Sequence, residues 1–179
     1  MFFFFFYLMI RRTPSSTLFP YTTLFRSGAM GLMINRPAHQ LDFKTLMVQL
    51  GIEGDHTESG PQVLFGGPVE HGRGFVLHST DYFVEGGTMA ISDDFGVTAT
   101  MDVLQDMADG KGPENRLLSL GYSGWGPGQL ESEIKNNGWL ICDADPVIAF
   151  EAPWGKKWKA RSEERRVGKE WRTRWSPDH

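Results

Sequence analysis

Two stretches of this chain carry residue types that do chemistry. The first is Gly66-Gly67-Pro68, followed by Arg73 and His78. A guanidinium clamps a carboxylate or phosphate through two parallel hydrogen bonds, and an imidazole passes a proton near neutrality. The second is the segment 121–128, which contains Ser123, Trp125 and Gly128. Backbone N–H groups at a helix start cradle anions. A serine in a turn from strand to helix has the setting of a nucleophile. Combined, Ser123, His78 and Arg73 would make a hydrolase-like or transferase-like centre.

Each of these residues also has a plainer role. The nucleophile-elbow pattern G-x-S-x-G needs glycine where Trp125 stands. Glycines in 121–128 serve a tight turn, with Pro127 at the first helical turn. Arg73 can pair with a nearby acid such as Asp81 or Asp94. His78 alternates onto the same face as Val76, which predicts a half-buried, hydrogen-bonded imidazole. Glu70, His71, His78 and Asp81 are ligand types, but they lack metal-site spacing. No metal and no cofactor is expected. Trp125, Trp139, Trp154 and Trp158 read as core anchors.

Positioning these groups requires several elements. Strands are predicted over 31–35, 63–65, 74–78, 88–91, 96–100, 117–120, 139–142 and 147–150. Helices are predicted over 41–50, 102–107 and 129–137, and a further one starts at Trp154. Asp42 is the expected cap and Gly51 the expected stop of the first helix. Residues 53–61 are polar and read as a loop. The pattern implies an α/β fold, a mixed sheet with a hairpin-rich centre and helices packed on it.

The two ends follow neither a strand nor a helix period. Leu24-Phe25-Arg26-Ser27 can be written CTC TTC CGA TCT, whose reverse complement encodes Arg161-Ser162-Glu163-Glu164. The mirror continues outward to Met9 and His179, with only Thr17/Trp171 and Thr13/Trp175 out of step. Such an inverted repeat resembles translated sequencing adapter. Residues 1–27 and 161–179 are therefore expected to lie outside the domain and to make few contacts with it. Residues 28–160 are the expected domain.

The whole chain carries a formal net charge of −4. The segment 28–160 holds nine Lys and Arg against eighteen Asp and Glu, a net of −9. That balance argues against direct nucleic-acid binding, which relies on clustered cations. The apolar start of the chain is too short to span a bilayer, so no membrane role is expected. Cys142 is the only cysteine. It forms no internal disulfide, fits a buried thiol in a reducing cytoplasm, and gives the expected location.

Four blocks together are similar to one family. They are residues 28–37, ending Asn35-Arg36-Pro37; Phe65-Gly66-Gly67-Pro68-Val69; Arg73-Gly74-Phe75-Val76-Leu77-His78; and 120–134, with Asn137-Gly138-Trp139 after it. The chain resembles the YqgE/AlgH family of bacterial proteins over 28–160. The resemblance implies a compact α/β fold and a cytosolic location, and no established enzyme activity. Some members are labelled transcriptional regulators through a link to alginate production. It also implies a native strand before residue 28 and a longer helix after residue 160, both replaced here. A domain lacking that strand is expected to be unstable or to aggregate. The resulting expectation is a non-enzymatic, regulatory protein that binds a small anionic ligand or a protein partner. Its candidate residues are Gly66, Gly67, Pro68, Arg73, His78, Ser123, Trp125 and Gly128. The alternatives are the enzyme built on Ser123, His78 and Arg73, and a transcriptional regulator acting indirectly.

Overall fold

The apolar run Leu117–Leu120 opens one long strand, and the rest of the sheet assembles around it. A computed structural model describes residues 7–10, for which only the backbone is considered, and residues 28–52, 60–139 and 144–157. The strands are β1 (Tyr7–Ile10), β2 (Ala29–Met33), β3 (Val63–Phe65), β4 (Val69–His78), β5 (Thr88–Ala90), β6 (Gly96–Thr98) and β7 (Arg116–Trp125). The helices are α1 (Phe43–Gln49), α2 (Met101–Ala108) and α3 (Gln129–Lys135), followed by a π-helical turn, Val147–Glu151. The order across the sheet is β1-β2-β7-β4-β6-β5. Its strands are antiparallel, except that β3 runs parallel to β7 from Val63↔Leu118 to Phe65↔Leu120. The expected mixed sheet with a β5–β6 hairpin is therefore present.

Two apolar layers cover the sheet. On one face Phe43, Leu46 and Met47 of α1, and Val103, Leu104 and Met107 of α2, pack on Val63, Val76 and Leu118. The i, i+3, i+4 spacing puts each helical trio on one stripe. Burying each such side chain contributes roughly 2 kcal/mol. The Asp42 carboxylate accepts the Thr45 N–H at 2.6 Å and caps α1, and Gly51 follows at φ +67°. On the other face Ile148 and Ala149 of the π-helical turn cover Leu32, Leu64, Phe75, Leu77, Leu117 and Tyr122.

β7 changes faces partway along. Leu117 and Tyr122 share one layer, although strict alternation would separate them, whereas Leu118 and Leu120 belong to the other. Gly121 at φ +75° makes the switch. β4 answers with a bulge, and its register against β7 shifts between Val69 and Gly74.

Four expectations need correction. Segment 121–128 is not a turn throughout, because β7 continues to Trp125 and pairs Ser123 with Gly31. Residues 147–150 are helical and not a strand. The Asp145 side chain accepts the Val147 N–H at 2.9 Å, and Pro146 has the helical φ of −56°. A short apolar run does not distinguish the two by periodicity. The apolar residues at 43, 46, 47 and 50 have the spacing of one buried helical stripe, yet Leu50 is 42% exposed. Lastly, Tyr7–Ile10 does touch the domain, pairing antiparallel to β2 from Tyr7↔Met33 to Ile10↔Met30. The outer edge of β2 presents unpaired N–H and C=O groups, which an extended segment satisfies. The 139–142 strand lies largely outside the described residues, as do Cys142, Trp158 and most of the 53–61 loop.

Candidate functional site

The candidate glycines sit where two backbones cross. The Gly66 N–H donates to the Leu120 carbonyl at 2.7 Å, and its own carbonyl accepts from Met33 at 2.8 Å. A Cβ on Gly66 would lie 2.2 Å from the Gly121 oxygen, and one on Gly67 2.1 Å from the Tyr122 carbonyl carbon. Only glycine permits this approach. The crossing locks β3 onto β7 and delivers Pro68 and the exposed start of β4 to the surface.

That start is conformationally unusual. Glu70 has φ +48°, a left-handed conformation rare for a residue with a side chain. Its carboxylate pairs with Arg73 Nη1 at 3.2 Å and accepts from the Tyr122 hydroxyl at 3.3 Å. Burial, then the adjacent Glu70 charge, pushes the Tyr122 phenol above its ordinary pKa. The Arg73 guanidinium also lies 5.3 Å from the Phe75 ring centroid. Arg73 therefore pairs with Glu70, not with the expected Asp81 or Asp94. Asp81 instead accepts from the Ser79 hydroxyl and the Glu114 N–H.

His78 is more deeply buried than expected, at 0% exposure. Nδ1 faces the Ser79 carbonyl at 2.8 Å, and Nε2 faces the Thr98 hydroxyl at 2.9 Å. A carbonyl only accepts, so Nδ1 carries the proton and Nε2 accepts. The chain continues through the Thr88 hydroxyl, 2.7 Å from that of Thr98. Burial lowers the His78 pKa, which keeps the imidazole neutral in this satisfied network.

Ser123 lies far from it. His78 is opposite Arg116 at the start of β7, and Ser123 is near the other end. Seven residues of strand separate the two levels by roughly 23 Å. Nucleophile and base must be within hydrogen-bond reach, so the structure does not assemble the Ser123–His78–Arg73 centre. Nor does α3 offer the expected anion cradle. Gly128 caps it at φ +71°, Gln129 Oε1 takes the Gly126 N–H at 3.1 Å, and Glu131 occupies the first turn. Trp125 is an anchor, as expected. Its indole and that of Trp139 both donate to Glu133.

The metal-type residues are scattered, with His71 stacked on Phe65, Glu70 on Arg73 and His78 in its own network. Among the described residues no three His, Cys, Asp or Glu groups gather as a metal site, and no helix is long and apolar enough to cross a membrane.

One cluster escaped the sequence reading. Arg36 holds its guanidinium 4.6 Å from the Phe65 ring centroid, and the His71 ring stacks on Phe65 at 5.3 Å. Arg36 reads only as a strand stop before Pro37, and nothing local links it to residues 65 and 71.

The family model described as AlgH-like matches residues 23–169, a span slightly wider than the expected 28–160. A UPF0301 protein of Rhodopseudomonas palustris is 53% identical over 131 residues, which is 69% of this chain and 60% of that protein. One from Cereibacter sphaeroides is 49% identical over 131 residues, 73% of this chain and 71% of its own length. The chain thus spans about 60% of the first of these relatives. The solution structure of AlgH from Pseudomonas aeruginosa superposes with a TM-score of 0.65 at 36% identity, over 86% of this chain and 80% of that one. A crystal structure from Corynebacterium diphtheriae, at TM-score 0.57 and 16% identity over 84% and 73% of the two chains, shares the fold alone. These likenesses in sequence and fold place the chain in the AlgH-like family.

Proposed function

We infer that this chain is a non-enzymatic binding protein, and that its recognition surface is the exposed start of β4, from Pro68 to Arg73. The observation that carries this reading is Glu70 at φ +48°, held between Arg73 and Tyr122 while residues 68–72 stay exposed. Such conformations cost about 1–3 kcal/mol and cluster at ligand clamps and switches. A small anionic ligand is the favoured occupant, with a protein partner second, and any effect on transcription is indirect. The single cysteine fits a cytosolic setting. The enzyme alternative has no geometric support, since Ser123 and His78 sit at opposite ends of β7.

The test is a two-dimensional amide NMR titration of the full chain with pooled phosphorylated and carboxylated metabolites. Saturable shifts at Val69–Arg73, with the metabolites unchanged, are expected. Turnover of a metabolite, or shifts confined to other regions, would contradict the reading.

A further inference from the structure

We propose that Arg36 and His71, held against Phe65, form a binding site for the phosphate or carboxylate group of a small molecule. The site deepens the binding reading above and rests on it. Three separate parts of the chain converge here, and backbone hydrogen bonds fix them. The Phe65 N–H donates to the Arg36 carbonyl at 2.8 Å, and the Ala38 N–H donates to the Val63 carbonyl at 2.9 Å. Segment 36–38 is thereby tied alongside β3, which places Arg36 beside Phe65. His71 reaches Phe65 from the β4 bulge between Val69 and Gly74, and the register across β7 runs Phe65↔Leu120↔Gly74.

A guanidinium lying over an aromatic ring keeps its planar fork of N–H donors directed outward, the geometry that meets an oxyanion with two hydrogen bonds. The imidazole stacked on the same phenyl likewise keeps its ring nitrogens at its edge. Arg36 and His71 are both exposed, and among the described residues neither side chain makes a hydrogen bond or an ion pair. This contrasts with Arg73, whose guanidinium is committed to Glu70. What sets Arg36 and His71 apart is that a guanidinium and an imidazole are held against one aromatic ring while both face solvent. The partners they lack are oxyanions.

The test uses the full chain and two probes, inorganic phosphate and citrate, with sodium chloride at matched ionic strength as control. The His71 Cε1–Hε1 cross-peak and the Phe65 ring resonances are followed by NMR. Saturable movement of both with phosphate, citrate or both is expected, and the stronger probe identifies the group. Arg36→Ala should weaken that affinity about tenfold or more, because it removes a charged hydrogen-bonding partner. Arg36→Lys should fall between, keeping charge without the planar fork. His71→Gln, which does not touch the Arg36 backbone ties, should weaken binding without altering the amide spectrum elsewhere. No saturable shift, or equal affinity in wild type and Arg36→Ala, would overturn the proposal. Amide shifts that saturate over Val69–Arg73 but leave the His71 Cε1–Hε1 cross-peak and the Phe65 ring resonances unmoved would overturn this site and leave the broader binding reading intact.

Discussion

Trp125 and Trp139 meet edge to face with ring centroids 5.7 Å apart, and both donate their indole N–H to one oxygen of Glu133, at 3.1 and 2.7 Å. Gln129 donates to the other oxygen at 3.0 Å. One carboxylate on α3 thus ties the end of β7 to the segment that follows the helix. α3 buries only Leu130, so these bonds supply much of its attachment.

The Trp139 N–H, foremost, holds the Glu133 carboxyl below the usual carboxylate range. A depressed folded value means the contribution is present above about pH 4.5 and is lost as pH falls through the folded pKa. Near-ultraviolet circular dichroism should lose its tryptophan signal over that acid range. Glu133→Ala should lose the signal already at pH 7 and lower stability by roughly 1 kcal/mol. An unchanged spectrum would show that the clamp does not hold the two rings.

Burial also makes the His78 network sensitive to acid. Its folded pKa lies below 6.5, so the unfolded chain takes up the proton first. The His78 contribution is full above about pH 6.5 and declines as pH falls below it. Urea melts between pH 7.5 and 5.5 should show this loss. His78→Ala should cost about 2–4 kcal/mol at pH 7.5, through the cavity and an unpaired Thr98 hydroxyl, and should flatten the pH dependence.

The glycine crossing makes a matched comparison. Gly66→Ala and Gly67→Ala force a Cβ to within 2.2 and 2.1 Å of β7 backbone atoms. Each should cost several kcal/mol, on the order of 3. Gly72→Ala meets nothing within 4 Å and should fall within about 0.5 kcal/mol of wild type. Thermal melts that rank the three variants otherwise would contradict the crossing.

Lys157 is buried, and among the described residues no carboxylate pairs with it. Its ammonium donates to the Ala149 carbonyl and lies 4.2 Å from the Trp154 ring centroid, and burial pushes its pKa down to about 8. The unfolded chain holds the proton to about pH 10.4, so stability should rise between about pH 8 and 10. Lys157→Met should abolish that rise, as read by melts across this range.

Much of the fold was legible because local pattern and tertiary role agreed. Asp42, the apolar residues at 43, 46, 47 and 50 and Gly51 mark α1 in the sequence, although Leu50 turns out exposed, and the β5–β6 hairpin follows from Ser92-Asp93-Asp94 between two apolar runs. The failures have physical causes. Gly121 looks like the start of a turn, yet its positive φ, opposite the β4 bulge, lets β7 continue, and Ser123 therefore lies in a strand and not a turn. Val147–Glu151 is apolar enough for a strand, but Asp145 and Pro146 start a helical turn. The candidate site was half legible. Gly66 and Gly67 do press on β7 at Gly121 and Tyr122, and Arg73 is tied to Tyr122 through Glu70, whereas the Arg36–Phe65–His71 stack depends on contacts between distant segments that no local pattern encodes.

Glu70 offers the sharpest separation of binding from folding. Asparagine tolerates its left-handed backbone better but lacks the carboxylate that holds Arg73. The pair is surface-exposed, so losing it should cost less than about 1 kcal/mol. The decisive measurement is the amide titration of the full chain by pooled anionic metabolites, run on wild type and Glu70→Asn. Saturable shifts at Val69–Arg73 in wild type, lost in a Glu70→Asn chain that melts at nearly the same temperature, are the predicted result. Equal binding by both chains, or none by wild type, would contradict recognition at the start of β4.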